Sequence, residues 1–140
     1  MAARQPAWGD LYQMPASITA ADLALLPDDG AKNELYEGTL VREEVTSAGH
    51  ADLCHRLSGA LFVYAQRTGF PNRMSQNGLI DLTPPGVARR TVLAPHLAIM
   101  RTTTPPQWDQ IPTDPPLLAV EVVSPSQTLA ELSMKAQFYR

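Results

Sequence analysis

The stretch LLAVEVVSPS, residues 117–126, is apolar from Leu117 to Val123 except for one carboxylate, Glu121, and closes on a Ser-Pro-Ser turn. A short apolar run bounded by turn residues predicts a β-strand covered on both faces, as at the centre of a mixed sheet. TVLAPHLAIM (91–100) has the same character and is likewise interrupted by one ionisable group, His96. A third stretch, NGLIDLTPPG (77–86), sets Leu79, Asp81 and Thr83 against Ile80 and Leu82, the alternation of a half-exposed strand. A sheet is therefore the organising element.

Outward from these strands, SITAADLALLPDDG (17–30) predicts a short helix capped by Thr19 and ended by Pro27. In NELYEGTLVREEV (33–45), Gly38 separates two strand-like runs, so a hairpin is expected. GHADLCHRLSGALFVYAQRTG (49–69) predicts a long helix closed by Gly69, with Leu53, Leu57, Leu61 and Tyr64 as its core stripe and Cys54 beside them. QTLAELSMKAQFYR (127–140) predicts a last helix with Leu129, Leu132, Ala136 and Tyr139 on its inner side. The order helix, hairpin, helix, three strands, helix implies an α/β or α+β fold. Residues 1–17 are expected to form a flexible N-terminal arm and 18–140 a single domain. Arg140 falls inside the last helix with no stop signal, so further C-terminal elements, or a partner replacing them, are expected.

Composition narrows the function classes. With 140 residues, 44% hydrophobic and 18% charged, the chain has the profile of one soluble domain with a real core. Its net charge of −3 supplies no global attraction to nucleic acid, so any such contact needs a local basic patch. One cysteine rules out an internal disulfide framework and suits a reducing compartment. No apolar run has the length of a signal peptide or a membrane span, so a cytoplasmic protein is expected. P-loop, dinucleotide-glycine, zinc-finger and Gly-x-Ser-x-Gly patterns are absent.

Burying an unpaired charge costs several kcal/mol, so Glu121 needs a partner, a sheet edge or a metal ion. Lys135, fourteen positions later on the following helix, could reach back to the strand end. There it would orient water or stabilise charge built up during phosphodiester cleavage. Its bland reading is a solvated helix residue.

ELYEG (34–38), His50 opening a helix, APHLAIM (94–100), LLAVEVVSPS, and Lys135 followed by Tyr139 resemble, in order and spacing, the Uma-type restriction endonucleases. These are a branch of the PD-(D/E)XK nuclease superfamily, and the resemblance covers residues from about 18 to 140. It implies a restriction-endonuclease-like mixed central sheet flanked by helices, and a divalent-metal-dependent endonuclease acting on DNA. Position by position it implies an acidic metal ligand at position 96, a metal-binding glutamate at Glu121, and a further site glutamate at Glu34. The superfamily lysine two residues beyond that glutamate is Val123 here; its role is carried by Lys135. The helix-opening histidine matches His50. In the family the domain continues past the last helix, so this chain is expected to lack C-terminal elements.

The departure at position 96 matters most. His96 offers one neutral nitrogen, a poor match for Mg²⁺ and a better one for Mn²⁺, Zn²⁺ or Ni²⁺. Three readings compete: a disabled site on a retained fold, a site using another metal with Mn²⁺ favoured over Mg²⁺, or an oxygen supplied by Glu34, Glu37 or Asp81. His50 and Cys54, four apart on one helix face, have metal-ligand spacing, but two ligands do not make a site and core packing accounts for Cys54. His50 could instead face substrate phosphate from the helix start, with Arg89 and Arg90 as a basic rim. Two functions follow: a metal-dependent endonuclease, or a catalytically inactive nuclease fold that binds DNA or protein partners. An unfinished sheet edge and an uncovered helix face favour a homodimer in either case.

Overall fold

The chain is described from a computed structural model, covering residues 10–13, 18–27, 29–43, 47–70, 73–125 and 127–140. The expected hairpin organises its first half. β2 (Lys32–Tyr36) and β3 (Thr39–Glu43) pair antiparallel, with Leu35 opposite Leu40 and Lys32 opposite Glu43. Glu37 and Gly38 join them, both at positive φ (47° and 82°), as a two-residue turn requires if the strands are to keep their twist. β1 (Asp10–Gln13) adds to the outer side of β3. The rest of the stretch expected as an arm lies outside the described residues.

Among the described residues there are three helices and two antiparallel sheets, the α+β architecture expected, with the strands divided between two sheets where one central sheet was expected. β5 (Ile80–Asp81) and β6 (Val92–Leu93) complete a five-stranded sheet in the order β1-β3-β2-β6-β5. β4 (Met74–Gln76), β7 (Leu97–Ile99) and β8 (Leu118–Val120) form a second sheet in the order β4-β7-β8. TVLAPHLAIM is thus two strands in two sheets. Pro95 has no N–H to give a ladder and a fixed φ, so pairing stops there and the chain changes sheets. His96 stands at that corner.

Three other expectations about burial are corrected. α2 (Ala48–Thr68) is capped by Ser47 and ended by Gly69 in the left-handed region as expected, but Leu53 is 44% exposed and Tyr64 56%. Only His50 and Cys54 are buried, because the helix meets the rest of the described chain chiefly through its first turns. Leu117, Leu118 and Val123 are exposed, since β8 is an edge strand. In α3 (Leu129–Phe138), Leu129 is 82% exposed and Ala136 is exposed, while Glu131 and Lys135 are buried. The inward face of that helix is chosen by charge beneath it rather than by its apolar residues.

α1 (Ala20–Ala24) carries a reciprocal capping box between Thr19 and Asp22 and buries Leu23 beside Ile18, Leu35, Leu40 and Val92. A second core cluster holds Ile80, Leu82, Leu93, Ala98 and Met100, with Tyr36 and Phe138 edge to face at its rim. Between the clusters lies a group of charges.

Candidate active site

Strand register brings the two ionisable interruptions together. Leu97 pairs with Val120 in the antiparallel ladder of β7 and β8, so the next positions outward are His96 and Glu121. His96 Nδ1 lies 2.7 Å from Glu121 Oε2. The Val122 N–H also points at Nδ1, at 3.2 Å. An ionised carboxylate 2.7 Å away calls for a proton on Nδ1, against the longer 3.2 Å approach of the Val122 N–H, and in the neutral ring Nε2 then carries the lone pair.

Glu121 is surrounded by donors. Its Oε1 accepts from the Tyr139 hydroxyl at 2.6 Å and from Lys135 Nζ at 3.4 Å, and its Oε2 lies 3.9 Å from Lys32 Nζ. Burial alone would raise its pKa, but the His96 hydrogen bond, the ammonium groups of Lys32 and Lys135, and the Tyr139 hydroxyl together hold it down at about 2. Burial and the neighbouring Glu121 charge push the Tyr139 hydroxyl up, so it remains a donor.

The lysine replacing the one absent at Val123 does enter the cluster. Lys135 reaches in from the last turn of α3, seven residues past Thr128, which forms a capping box with Glu131. Its Nζ lies 2.7 Å from Glu34 Oε2, and the other Glu34 oxygen accepts from the Ala94 N–H at 2.7 Å. Lys32 completes the group: its Nζ sits 2.9 Å from Glu43 Oε2 and 3.1 Å from the Ala94 carbonyl. Burial opposes its charge, but the carboxylates of Glu34, Glu121 and Glu43 more than offset that and raise its pKa. Glu43 is correspondingly lowered against its own burial, chiefly by Lys32.

A cleft of about 480 Å³ opens beside this cluster, and Lys32, Glu43, His50, Cys54, Asn77 and His96 are on its wall. Glu34, Glu121 and Lys135 stand behind that wall. His50 donates from Nε2 to the Val122 carbonyl at 2.8 Å, and its ring lies edge to face with that of His96, centroids 4.7 Å apart.

The expected residues therefore divide. Glu34, His50, His96, Glu121 and Lys135 are brought together. Arg89 and Arg90 are not: they flank the Glu37–Gly38 turn, at the end of β2 opposite Lys32. Of the three residues named as sources of an oxygen, only Glu34 is in the cluster, while Glu37 is in the turn and Asp81 faces Arg90 at 3.7 Å. Sequence reasoning missed Lys32 and Glu43. The signal was available, because a hairpin turning at 37–38 places position 32 directly opposite 43 and on the same face as 34.

A hard ion such as Mg²⁺ wants carboxylate oxygens unencumbered by other cations. Here both Glu121 oxygens and both Glu34 oxygens already face donors, and the Lys32 ammonium occupies the space among Glu34, Glu43 and Glu121. As arranged, these residues do not fit an oxygen-ligated Mg²⁺. The lone pair they leave for the cleft is nitrogen, which suits a borderline ion.

A family model described as Uma2, putative restriction endonuclease, matches residues 20–140. A search of curated proteins found no match.

Proposed function

Because the chain belongs to the Uma2 family of restriction-endonuclease-like proteins, we propose that it hydrolyses DNA phosphodiesters at the cleft walled by Lys32, His50 and His96. The observation that carries this reading is the Glu121–His96 pair. An ionised carboxylate that accepts a hydrogen bond from Nδ1–H leaves Nε2 of the neutral ring as a lone-pair donor on the cleft wall. A lone pair so placed activates water. A borderline divalent ion held there would supply Lewis-acid polarisation of the phosphate. Lys135, Glu34 and Tyr139 are positioning residues that hold Glu121 in place, and Lys32 stands on the cleft wall paired with Glu43. Arg89 and Arg90 would meet DNA only outside the cleft.

The test is plasmid nicking by the wild type, His96→Ala and Glu121→Gln, with Mg²⁺, Mn²⁺ or Zn²⁺ added. Each substitution is expected to reduce cleavage by about 100-fold or more, the scale of a lost proton-transfer group. Cleavage unchanged in both variants would overturn the assignment. The binding-module reading draws on a different observation, the complete engagement of the carboxylates by lysines. Salt-dependent DNA retention with no cleavage in any ion would establish that reading instead.

Among the described residues no helix is long and apolar enough to cross a membrane.

A further inference from the structure

We propose that His50, Cys54 and His96 form a binding site for a borderline divalent ion of the zinc class, distinct from an oxygen-ligated magnesium site. One ring nitrogen of each histidine and Cys54 Sγ lie within 4.8 Å of one another, and all three residues are buried. Cys54 Sγ is already 3.7 Å from His50 Nδ1. In a tetrahedral zinc site, Zn–S near 2.3 Å and Zn–N near 2.0–2.1 Å place sulfur and nitrogen ligands about 3.6 Å apart and two nitrogens about 3.3 Å apart. Closing the triangle onto an ion therefore shortens its edges by at most about 1.5 Å.

The tautomers are a second, independent observation. A metal-ligating histidine characteristically donates its other ring N–H to a carbonyl or carboxylate, which fixes the ring and exposes the ligating lone pair. Both histidines here meet that condition without an ion. His50 gives its Nε2 proton to the Val122 carbonyl, which can only accept, so Nδ1 is bare and faces Cys54. His96 donates from Nδ1 to Glu121, so in the neutral ring Nε2 is left to ligate. Two adjacent residues, Glu121 and Val122, thus act as the outer partners of two ligands on different elements. Simple core packing of His50 and Cys54 needs neither arrangement.

Charge points the same way. The surrounding cluster holds three carboxylates, Glu34, Glu43 and Glu121, against two ammonium groups, Lys32 and Lys135. That leaves one carboxylate more than ammonium groups, a balance met by a protonated His96 or by a bound cation. A divalent ion bound by a thiolate adds one positive charge, and the Cys54 proton leaves to solvent on binding. Three protein ligands on the wall of an open cleft leave a fourth position for water or substrate, the arrangement of catalytic rather than structural zinc.

The inference stands on geometry whether the chain cuts DNA or only binds it. Its test reads the metal alone. Co²⁺ titrated into the full chain should give the visible absorption of a tetrahedral site and a thiolate-to-metal charge-transfer band, both displaced by Zn²⁺ and untouched by excess Mg²⁺. Cys54→Ser should abolish the charge-transfer band and weaken Zn²⁺ binding by more than about 100-fold, beyond the 10–100-fold cost of a lost outer partner expected for Glu121→Gln. His55→Ala, an exposed neighbour on the same helix, should change nothing. Because Cys54 is the only cysteine, a readout needing no variant is its alkylation in the native chain, which saturating Zn²⁺ should suppress. An octahedral spectrum without the charge-transfer band, Zn²⁺ binding unaltered by Cys54→Ser, or alkylation at an unchanged rate would each overturn the site. Metal binding without cleavage would refute only the nuclease reading; cleavage without metal binding would refute only this one.

Discussion

Lys135→Met removes the cation that joins two buried carboxylates, and its cost follows from the geometry. Lys135 is 2% exposed, with Nζ 2.7 Å from Glu34 Oε2 and 3.4 Å from Glu121 Oε1. At an effective dielectric of about 20 those contacts amount to about 11 kcal/mol of gross attraction. Most of it is offset by taking three ions out of water, several kcal/mol each. The methionine variant loses the attraction while the carboxylates stay buried, and breaking a buried pair this way costs about 3–5 kcal/mol. Lys32 still faces both partners, 3.8 Å from Glu34 and 3.9 Å from Glu121, so the loss belongs at the low end, about 3 kcal/mol. With an unfolding entropy of about 0.29 kcal/mol/K for a chain of this length, the Tm falls by about 10 °C. Thermal melts by circular dichroism at neutral pH measure it. Adding Glu34→Gln should restore part of the loss, because the two sites share one contact. A loss under about 1 kcal/mol, the range of exposed ion pairs, would refute the reasoning, as would strict additivity in the double variant.

Two further outcomes follow from the same cluster. Glu121 titrates near 4.5 in an unfolded chain and about 2 in the fold, so its depressed pKa contributes stability that is present above the unfolded value. That contribution, about 3 kcal/mol, is lost as pH falls from about 4.5 through about 2, and Glu43 adds in the same direction. The stability gap between wild type and Glu121→Gln, measured by urea unfolding, should shrink across that window; a pH-independent gap would count against it. His96→Asp replaces the donor to Glu121 with a second carboxylate, so without a cation the variant should be less stable than the wild type. Mg²⁺ or Mn²⁺ should then raise its Tm, by the equivalent of about 2.7 kcal/mol at 100 times the Kd, while Mg²⁺ leaves the wild type unmoved. An equal Mg²⁺ shift in both proteins would show that the native carboxylates bind the ion after all.

Local features of this protein are legible because local chemistry causes them. Thr19 with Asp22 and Thr128 with Glu131 cap helices by hydrogen bonds spanning three residues. Ser47 and Gly69 bound α2 by a side-chain acceptor and a left-handed φ, and Gly38 completes a turn whose register aligns Lys32 with Glu43. The ionisable interruptions His96 and Glu121 could be picked out because each breaks a pattern its neighbours keep, Lys135 because it follows Glu121 at a reachable distance, and Glu34 only through the family resemblance.

Which faces those elements bury is a different question, settled by partners distant in sequence. The periodicity of α2 draws a stripe through Leu53 and Tyr64, yet only its first turns find cover, so His50 and Cys54 are what it buries. Leu129 turns outward and Lys135 inward because Glu34 and Glu121 wait beneath α3, and an ammonium between two buried carboxylates outweighs one leucine's transfer energy. The run 91–100 divides between two sheets because Pro95 cannot donate, a break visible in sequence whose consequence depends on which strands lie on either side. The sequence alone determined the helix caps, the hairpin turn and the ionisable residues His96 and Glu121 that interrupt apolar runs. Only tertiary structure decided that β2, β3, β8, α3 and the Pro95 corner meet at one point, since long-range pairing is fixed by the mutual satisfaction of charges and ladders and not by any segment in isolation.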